Sequence, residues 1–337
     1  MSPSTGLRTG AKPRVGFLGV GWIGRHRMEA MLGTGAIEVA AIADPSREMR
    51  AATVELAPGA APVDGIEELL TQDLDGLVIA SPSALHAGQS IRALEAGVAV
   101  FCQKPLGRTA AEVQAVVDAA KAADQLLGVD LSYRFTSGMQ RIRELIRCGE
   151  LGRVFAADVT FHNAYGPDKP WFYDPALSGG GCVMDLGVHL VDLALWALDW
   201  PEIADVQSHL LACGAPLRDA ASQCEDYAAA TISLADGAVL RLACSWRLPA
   251  GQEAVIAAEF YGTEGAAALR NADGGFYAFD AVRMRGTAVE PLAEREDDWG
   301  GRAAADWARR LAAGEGFDPE AGRLVEVARV LDRVYGR

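Results

Sequence analysis

The chain has 337 residues, with 31 Lys and Arg against 45 Asp and Glu, a net charge of −14, and half of its residues are hydrophobic. At roughly 150 residues per domain this length predicts two domains, and so apolar a composition excludes disorder as a global state. An acidic chain with no basic run longer than a pair repels phosphate backbones, which excludes nucleic acid as the default partner.

No run reaches the roughly 18 consecutive apolar residues of a membrane helix, so no membrane partner is expected. Met1–Arg14 has no apolar stretch of the kind a secretory signal carries. The six cysteines, at 102, 148, 182, 213, 224 and 244, show neither CxxC spacing nor the density of a disulfide scaffold. A cytoplasmic, reduced protein is expected.

In chain order, residues 1–12 read as a flexible polar tail. The apolar run Val15–Gly19 enters a Gly-rich turn, an Ala-rich helical stretch follows to about Leu32, and Val39–Ala43 ends at Asp44. Further short runs at 76–80, 98–102 and 126–131 are separated by helical stretches at 83–96 and 109–123, the latter with Thr109 and Glu112 in a capping-box arrangement. Buried strands alternating with helices predict parallel βαβ units, hence an α/β, doubly wound sheet over 13–132. Beyond that, 154–163 reads as a strand and 182–198 as a helix, with strands at 203–213, 226–234, 238–248 and 252–261. A hairpin signal, Ala235-Asp236-Gly237, joins two of them, and helices at 301–313 and 319–335 close the chain. This predicts an α+β second domain over 133–337.

Three motifs carry chemistry. Gly19-Val20-Gly21-Trp22-Ile23-Gly24 fits G-x-G-x-x-G after a strand, and Asp44 ends the next strand 20 residues beyond Gly24. That spacing places a diphosphate at a helix N-terminus and a carboxylate at the ribose 2′-hydroxyl. A carboxylate repels a 2′-phosphate, so NAD is favoured over NADP. Gln103-Lys104-Pro105 follows a strand end, where ligands of doubly wound sheets sit. Lys104 is there either a donor to nicotinamide ribose and substrate oxygen or a solvated surface lysine. Third, Gly179-Gly180-Gly181 precedes Asp185, His189 and Asp192, which share one face of a helix. His189 is either a proton acceptor flanked by carboxylates or a satisfied core histidine, and Asp185 either its partner or a helix cap. The glycine run lets a ligand or another segment come close. Metal-ligand spacing is absent from the sequence.

Together these segments resemble the Gfo/Idh/MocA family of nicotinamide-dependent oxidoreductases from Arg14 to the last helix. Ser81-Pro82-Ser83-Ala84-Leu85-His86 matches a T-P-N-x-x-H segment and Gln103-Lys104-Pro105 an E-K-P motif. Tyr133-Arg134-Phe135 matches an aromatic-Arg-Phe segment, and Trp171, Gly179–Gly181 and Asp185–Asp192 match a Trp, GGG and D-x-G-x-H-x-x-D series. The resemblance implies an N-terminal Rossmann domain, a second domain with a large open, mostly antiparallel sheet, and a homodimer or homotetramer. By the same carry-over Lys104, Asp185 and His189 are catalytic. Gly19, Gly21, Trp22, Ile23, Gly24, Asp44, Ser81, Pro82, His86, Gln103 and Lys104 bind the cofactor. Lys104, Arg134, Asn163, Trp171, Asp185 and His189 bind substrate, with His162, Tyr165 and Phe172 also expected near the pocket.

Departures from the pattern are Gln103 for Glu, which removes a negative charge beside Lys104, Ser83 for Asn, and Phe172 after Trp171 where many members carry Arg. The implied activity is an NAD-dependent dehydrogenase or reductase of a sugar or inositol-like polyol. Alternatives are a ketoreductase of nucleotide-linked sugars, a redox-neutral NAD-dependent glycosidase and, last, a dinucleotide-binding sensor.

Overall fold

The computed structural model describes residues 11–295 and 297–337. The expected tail at 1–12 therefore lies, but for its last two residues, outside the described residues. The chain forms two compact units.

The first unit takes the described residues up to Gly107, Ala111–Asp130 and Gly301–Val325. Its strands are β1 (Arg14–Leu18), β2 (Glu38–Ala43), β3 (Ala61–Val63), β4 (Gly76–Ile79), β5 (Ala99–Cys102) and β6 (Leu127–Val129). All pair in parallel in the order β3-β2-β1-β4-β5-β6, so the winding reverses between β1 and β4. β4 and β5 are buried along their whole length, because helices cover both faces of a parallel sheet. The break at 130/131 lies beside the boundary expected from the sequence, but 301–325 joins this unit rather than the second. The cause is Trp307, in the helix Arg302–Ala312. It packs against Phe101 at 5.8 Å and lies over Gly76 and Gly128, where an added Cβ would come within 2.7 Å of its ring.

The second unit comprises Arg108–Ala110, Leu131–Gly300 and Glu326–Arg337, again among the described residues. Its strands are β7 (Val154–Asn163), β8 (Ile203–Ala212), β9 (Ala215–Pro216), β10 (Tyr227–Leu234), β11 (Val239–Ser245), β12 (Ala254–Gly262), β13 (Ala266–Asn271), β14 (Phe279–Arg285) and β15 (Ala288–Pro291). They form one sheet, β15-β14-β13-β12-β7-β11-β10-β8-β9, antiparallel except for β7 with β11. The turn between β10 and β11 has Gly237 at φ +87°, where glycine costs least, and its amide donates to the Leu234 carbonyl at 3.0 Å.

Period-two alternation sends Ala157, Val159 and Phe161 of β7 into the core and turns Asp158, Thr160 and His162 to the opposite face. The helix Ser137–Arg147 and the segment 183–197 share that core. Pro175–Ala197 is long and apolar enough to cross a bilayer by composition alone, and 89% of its most apolar window is buried inside the protein.

Candidate active site

In the first unit, Gly19 has φ +90° and a Cβ there would stand 2.6 Å from the Ala80 carbonyl oxygen. A Cβ on Gly24 would meet the Gly19 oxygen at 2.2 Å, whereas nothing lies within 4 Å of one on Gly21. Two of the glycines thus serve close backbone packing, and Gly21 leaves open space at the N-terminus of the helix Trp22–Gly33. Asp44 accepts from the Val20 amide at 2.9 Å through Oδ2 and from the Ser46 amide at 2.8 Å through Oδ1. One carboxylate therefore ties the end of β2 to the Gly-rich turn, and each oxygen keeps acceptor capacity for a ribose hydroxyl. Ile23 is half-buried, and Trp22 is 64% exposed with its ring tilted against His26. The residues fit an adenine dinucleotide: an open helix N-terminus for the diphosphate and an acid at the next strand end.

His86 and Gln103, expected as cofactor contacts, turn inward instead. His86 is 1% exposed, with Nδ1 2.7 Å from the Pro105 carbonyl and Nε2 2.7 Å from the Ser81 carbonyl. Burial lowers its pKa, the two carbonyls raise it, and the nearby Lys104 charge lowers it. The net effect is a lowered pKa, and the neutral ring this favours donates its single N–H to one of the two carbonyls while lying between the 81 and 105 segments. Ser81 Oγ donates to Gln89 Oε1 at 2.6 Å, and Pro82 precedes the helix Ser83–Glu95. Gln103 donates from Nε2 to buried Asp130 at 2.7 Å. From Phe101 to Gly107, Lys104 is the one residue not buried, and the peptide bond that follows it is cis.

In the second unit, every residue from Gly181 to Ala197 is buried except Asp185 and His189. The helix begins with a π-helical turn, Val183–Gly187, and continues as Val188–Ala197. Asp185 Oδ2 accepts the Trp246 indole N–H at 3.0 Å, and the His189 ring meets Tyr133 edge-on at 5.0 Å. Burial, with the Tyr277 and Asp185 charges, raises the Tyr133 pKa, so it remains a neutral phenol. Asp192 does not flank the histidine as expected. It is 2% exposed and takes a two-pronged hydrogen bond from Arg134, with Nε to Oδ2 at 2.7 Å. Arg134, expected to bind substrate, is thereby committed to Asp192 and also lies over the Trp200 ring.

The aromatic segment 171–173 builds a wall. Trp171 stacks on Phe172 at 3.8 Å, and Phe172 and Tyr173 both meet Trp246 edge-on. Asn163 accepts from the Tyr165 amide at 2.8 Å, closing the turn after β7, and Tyr165 is exposed. His162 lies elsewhere than expected: on the sheet face opposite Phe161 it bonds Ser245 at 2.8 Å and stacks on Tyr227.

The glycine run admits another segment of the chain. A Cβ on Gly179 would meet Arg108 at 2.7 Å, one on Gly180 the Tyr335 hydroxyl at 2.0 Å, and one on Gly181 the Glu225 carbonyl at 1.9 Å. Glu225, fully buried, accepts from the Gly181 and Val183 amides at 3.0 and 2.8 Å and from the Tyr335 hydroxyl at 2.7 Å. Glu225, Trp246 and Tyr133 in the second unit, and Asp130 in the first, thus hold the candidate residues of their own unit, and none stands out for that role in the sequence. An acid interrupting the apolar run at 126–131 is the one available signal. Among the described residues no three His, Cys, Asp or Glu side chains are grouped to hold a metal ion.

Residues 13–131 match the family model described as "Oxidoreductase family, NAD-binding Rossmann fold", and residues 139–268 match "GFO/IDH/MocA C-terminal domain". Among curated relatives, D-glucoside 3-dehydrogenase of Escherichia coli is 28% identical over 211 residues, 60% of each chain. Inositol 2-dehydrogenase 3 of Saccharopolyspora erythraea is 32% identical over 198 residues, 58% of this chain and 56% of that one. The matches span about 60% of the length of these relatives. A levoglucosan dehydrogenase solved with NADH and levoglucosan shares the fold, with TM-score 0.81 and 21% identity over 97% of this chain and 96% of that one. With both of its domain models matched in order along one chain, the protein is a member of the Gfo/Idh/MocA family of oxidoreductases.

Proposed function

We propose that the protein is an NAD-dependent dehydrogenase or reductase acting on a secondary hydroxyl or ketone of a sugar or inositol-like polyol. One observation supports it above the rest: in the buried stretch Gly181–Ala197, only Asp185 and His189 reach the surface. A binding module has no need of an acid and a base brought out together from an apolar helix. The names of the relatives, sugar and inositol dehydrogenases among them, supply the substrate class.

When bound, the nicotinamide exchanges a hydride with the substrate carbon. Oxidation also releases the hydroxyl proton, which His189 takes through a ring nitrogen, a group suited to this at neutral pH. Lys104 donates to the substrate oxygen and stabilises the negative charge that develops there. Asp185, held by Trp246, orients the substrate or the imidazole. In the reducing direction the same proton returns from His189 to the oxygen.

We also propose a cytoplasmic homodimer or homotetramer. All six cysteines are unpaired thiols, in keeping with a reducing compartment. The sheet face away from the core presents Thr160, Thr231 and Ala243 with the Asp158–Arg241 ion pair around a depression of about 470 Å³, a surface that a second copy can cover.

The test mixes protein with NAD⁺ or NADP⁺ and a panel of inositols, aldoses and sugar acids, following reduced-cofactor absorbance. Turnover with NAD⁺ that falls by about two or more orders of magnitude in Lys104→Met and in His189→Ala is expected. Near-normal turnover in either variant removes that residue's role. Silence across the panel despite tight NADH binding favours a nucleotide-sugar ketoreductase, a redox-neutral glycosidase or a sensor.

A further inference from the structure

The E-K-P pattern loses its glutamate at Gln103, yet the negative charge is not lost from the neighbourhood. β5 and β6 pair in parallel with Cys102 opposite Val129, so Gln103 and Asp130 are the next positions beyond the ladder, side by side. The Asp130 amide also donates to the Cys102 carbonyl at 3.0 Å, extending the pairing to that point. Gln103 Nε2 donates to Asp130 Oδ2 at 2.7 Å, and Arg27 Nε donates to the same oxygen at 2.5 Å. The three residues are 8%, 2% and 7% exposed, so water screens none of these contacts. A glutamate at position 103 would set two carboxylates in van der Waals contact with one guanidinium to serve both.

We propose that Asp130 is a positioning residue for Lys104, supplying from β6 the carboxylate that the motif elsewhere carries on β5. Arg27 belongs to the helix Trp22–Gly33, whose N-terminus forms the Gly-rich turn, and Gln103 adjoins Lys104 in the chain. One buried carboxylate therefore couples the dinucleotide cradle to the backbone that carries Lys104. The acid and the amide are interchangeable as a pair. With Asp130→Asn and Gln103→Glu together, the new amide would accept from Arg27 through its carbonyl and donate through its NH₂ to the new carboxylate, with the total charge unchanged. Neither substitution works alone. Gln103→Glu adds an unmatched buried charge, and Asp130→Asn leaves Arg27 without a countercharge among these partners.

The role assigned to Lys104 rests on the proposed function, so the experiment separates the two. NADH affinity is measured by calorimetry without substrate, and kcat and KM with the substrate found in the panel, for wild type, Gln103→Glu, Asp130→Asn and the double variant. Each single variant is expected to lose at least ~10-fold in NADH affinity and in kcat, as misplacement of a positioning group does. The double variant is expected to return to within about 3-fold of wild type, a coupling that independent sites do not show. A double variant no better than the worse single, or singles that match wild type, overturns the proposal.

If a single variant does not fold, the double variant still decides: folded and active it supports the exchange, folded and inactive it refutes it. Gln103→Met, which removes the donor and adds no charge, is expected to fold and to lose kcat with KM little changed, and wild-type kcat in it also refutes the coupling. Failure of wild-type protein to bind NADH overturns the functional proposal itself, whereas NADH binding without rescue overturns only the role of Asp130.

Discussion

Trp246 and Asp185 are 61 residues apart in sequence, and the indole N–H of one meets the carboxylate of the other at 3.0 Å. The tryptophan follows directly on β11, whose alternation points Cys244 and Trp246 toward the helix and Ser245 away from it. The sheet that builds the core thus also fixes one of the two polar side chains that leave the buried helix.

Replacing Trp246 with phenylalanine keeps most of the aromatic wall and removes the donor. A hydrogen bond to a charged group contributes ~1.5–3 kcal/mol, so kcat is expected to fall roughly 10-fold or more while the circular dichroism spectrum stays that of wild type. Unchanged kcat would mean that Asp185 holds its place without the indole.

Gly21 and Gly24 are expected to part company on substitution. Alanine at Gly24 drives its Cβ to 2.2 Å from the Gly19 carbonyl and destabilises the fold, whereas alanine at Gly21 meets nothing within 4 Å. Gly21 also has φ −60° and ψ −171°, which alanine adopts without strain. Gly21→Ala should therefore keep its melting behaviour to within ~1 kcal/mol and lose NADH affinity, because the space it fills is the one a diphosphate needs. Calorimetry with NADH beside a thermal melt reads both effects.

Arg134→Met should act on stability rather than on substrate. It leaves Asp192, 2% exposed, without its bidentate partner, and breaking a buried pair costs about 3 kcal/mol. A lower melting temperature with KM little changed is expected; a raised KM in a protein of wild-type stability would return Arg134 to substrate binding.

Glu225 gives a pH dependence of definite sign. Burial raises its pKa above the ordinary glutamate value, and the Val183 and Gly181 amides and the Tyr335 hydroxyl offset this only in part. A carboxyl whose folded pKa is raised binds more protons folded than unfolded, so its contribution to stability is present at acid pH and fades as pH rises through the folded value. Glu225→Gln does not titrate. The melting temperature of wild type minus that of Glu225→Gln should therefore shrink as pH rises from about 4 toward neutrality. A difference that grows would show that the amide and hydroxyl bonds outweigh burial.

Local sequence carries the first unit well, because parallel strands buried on both faces leave short apolar runs and the Gly-rich turn has a fixed spacing to Asp44. The three-residue β3 is too short to stand out, and its proline obscures it further. β13 begins Ala-Ala-Ala, a composition with little strand preference, and it is a strand because β12 and β14 pair with it on either side. Trp307 joins the first unit through glycines more than 175 residues earlier in the chain, a relationship no local pattern records.

Of the proposed site residues, Lys104 in the first unit and Asp185 and His189 in the second are each legible because polar residues in apolar surroundings stand out. What holds them is not. Asp130 is a lone acid after β6 and Glu225 one of an adjacent acidic pair before β10, and only the fold brings Asp130 to Gln103 and Glu225 to the glycine run. His162 departs from its expected place because one step along a strand reverses the face.

Pro175–Ala197 has a consequence for synthesis of the chain. It is apolar enough to resemble a membrane span, and strands β10, β11 and β12, which close over it, end 65 residues after it at Gly262. At ~5–20 residues per second a ribosome needs several seconds to deliver them. At the start of that interval the apolar segment bearing Asp185 and His189 has been made with only β7 available from its eventual sheet. Chaperone capture and aggregation compete for the same stretch that carries Asp185 and His189, and a truncation before β12 leaves part of it uncovered.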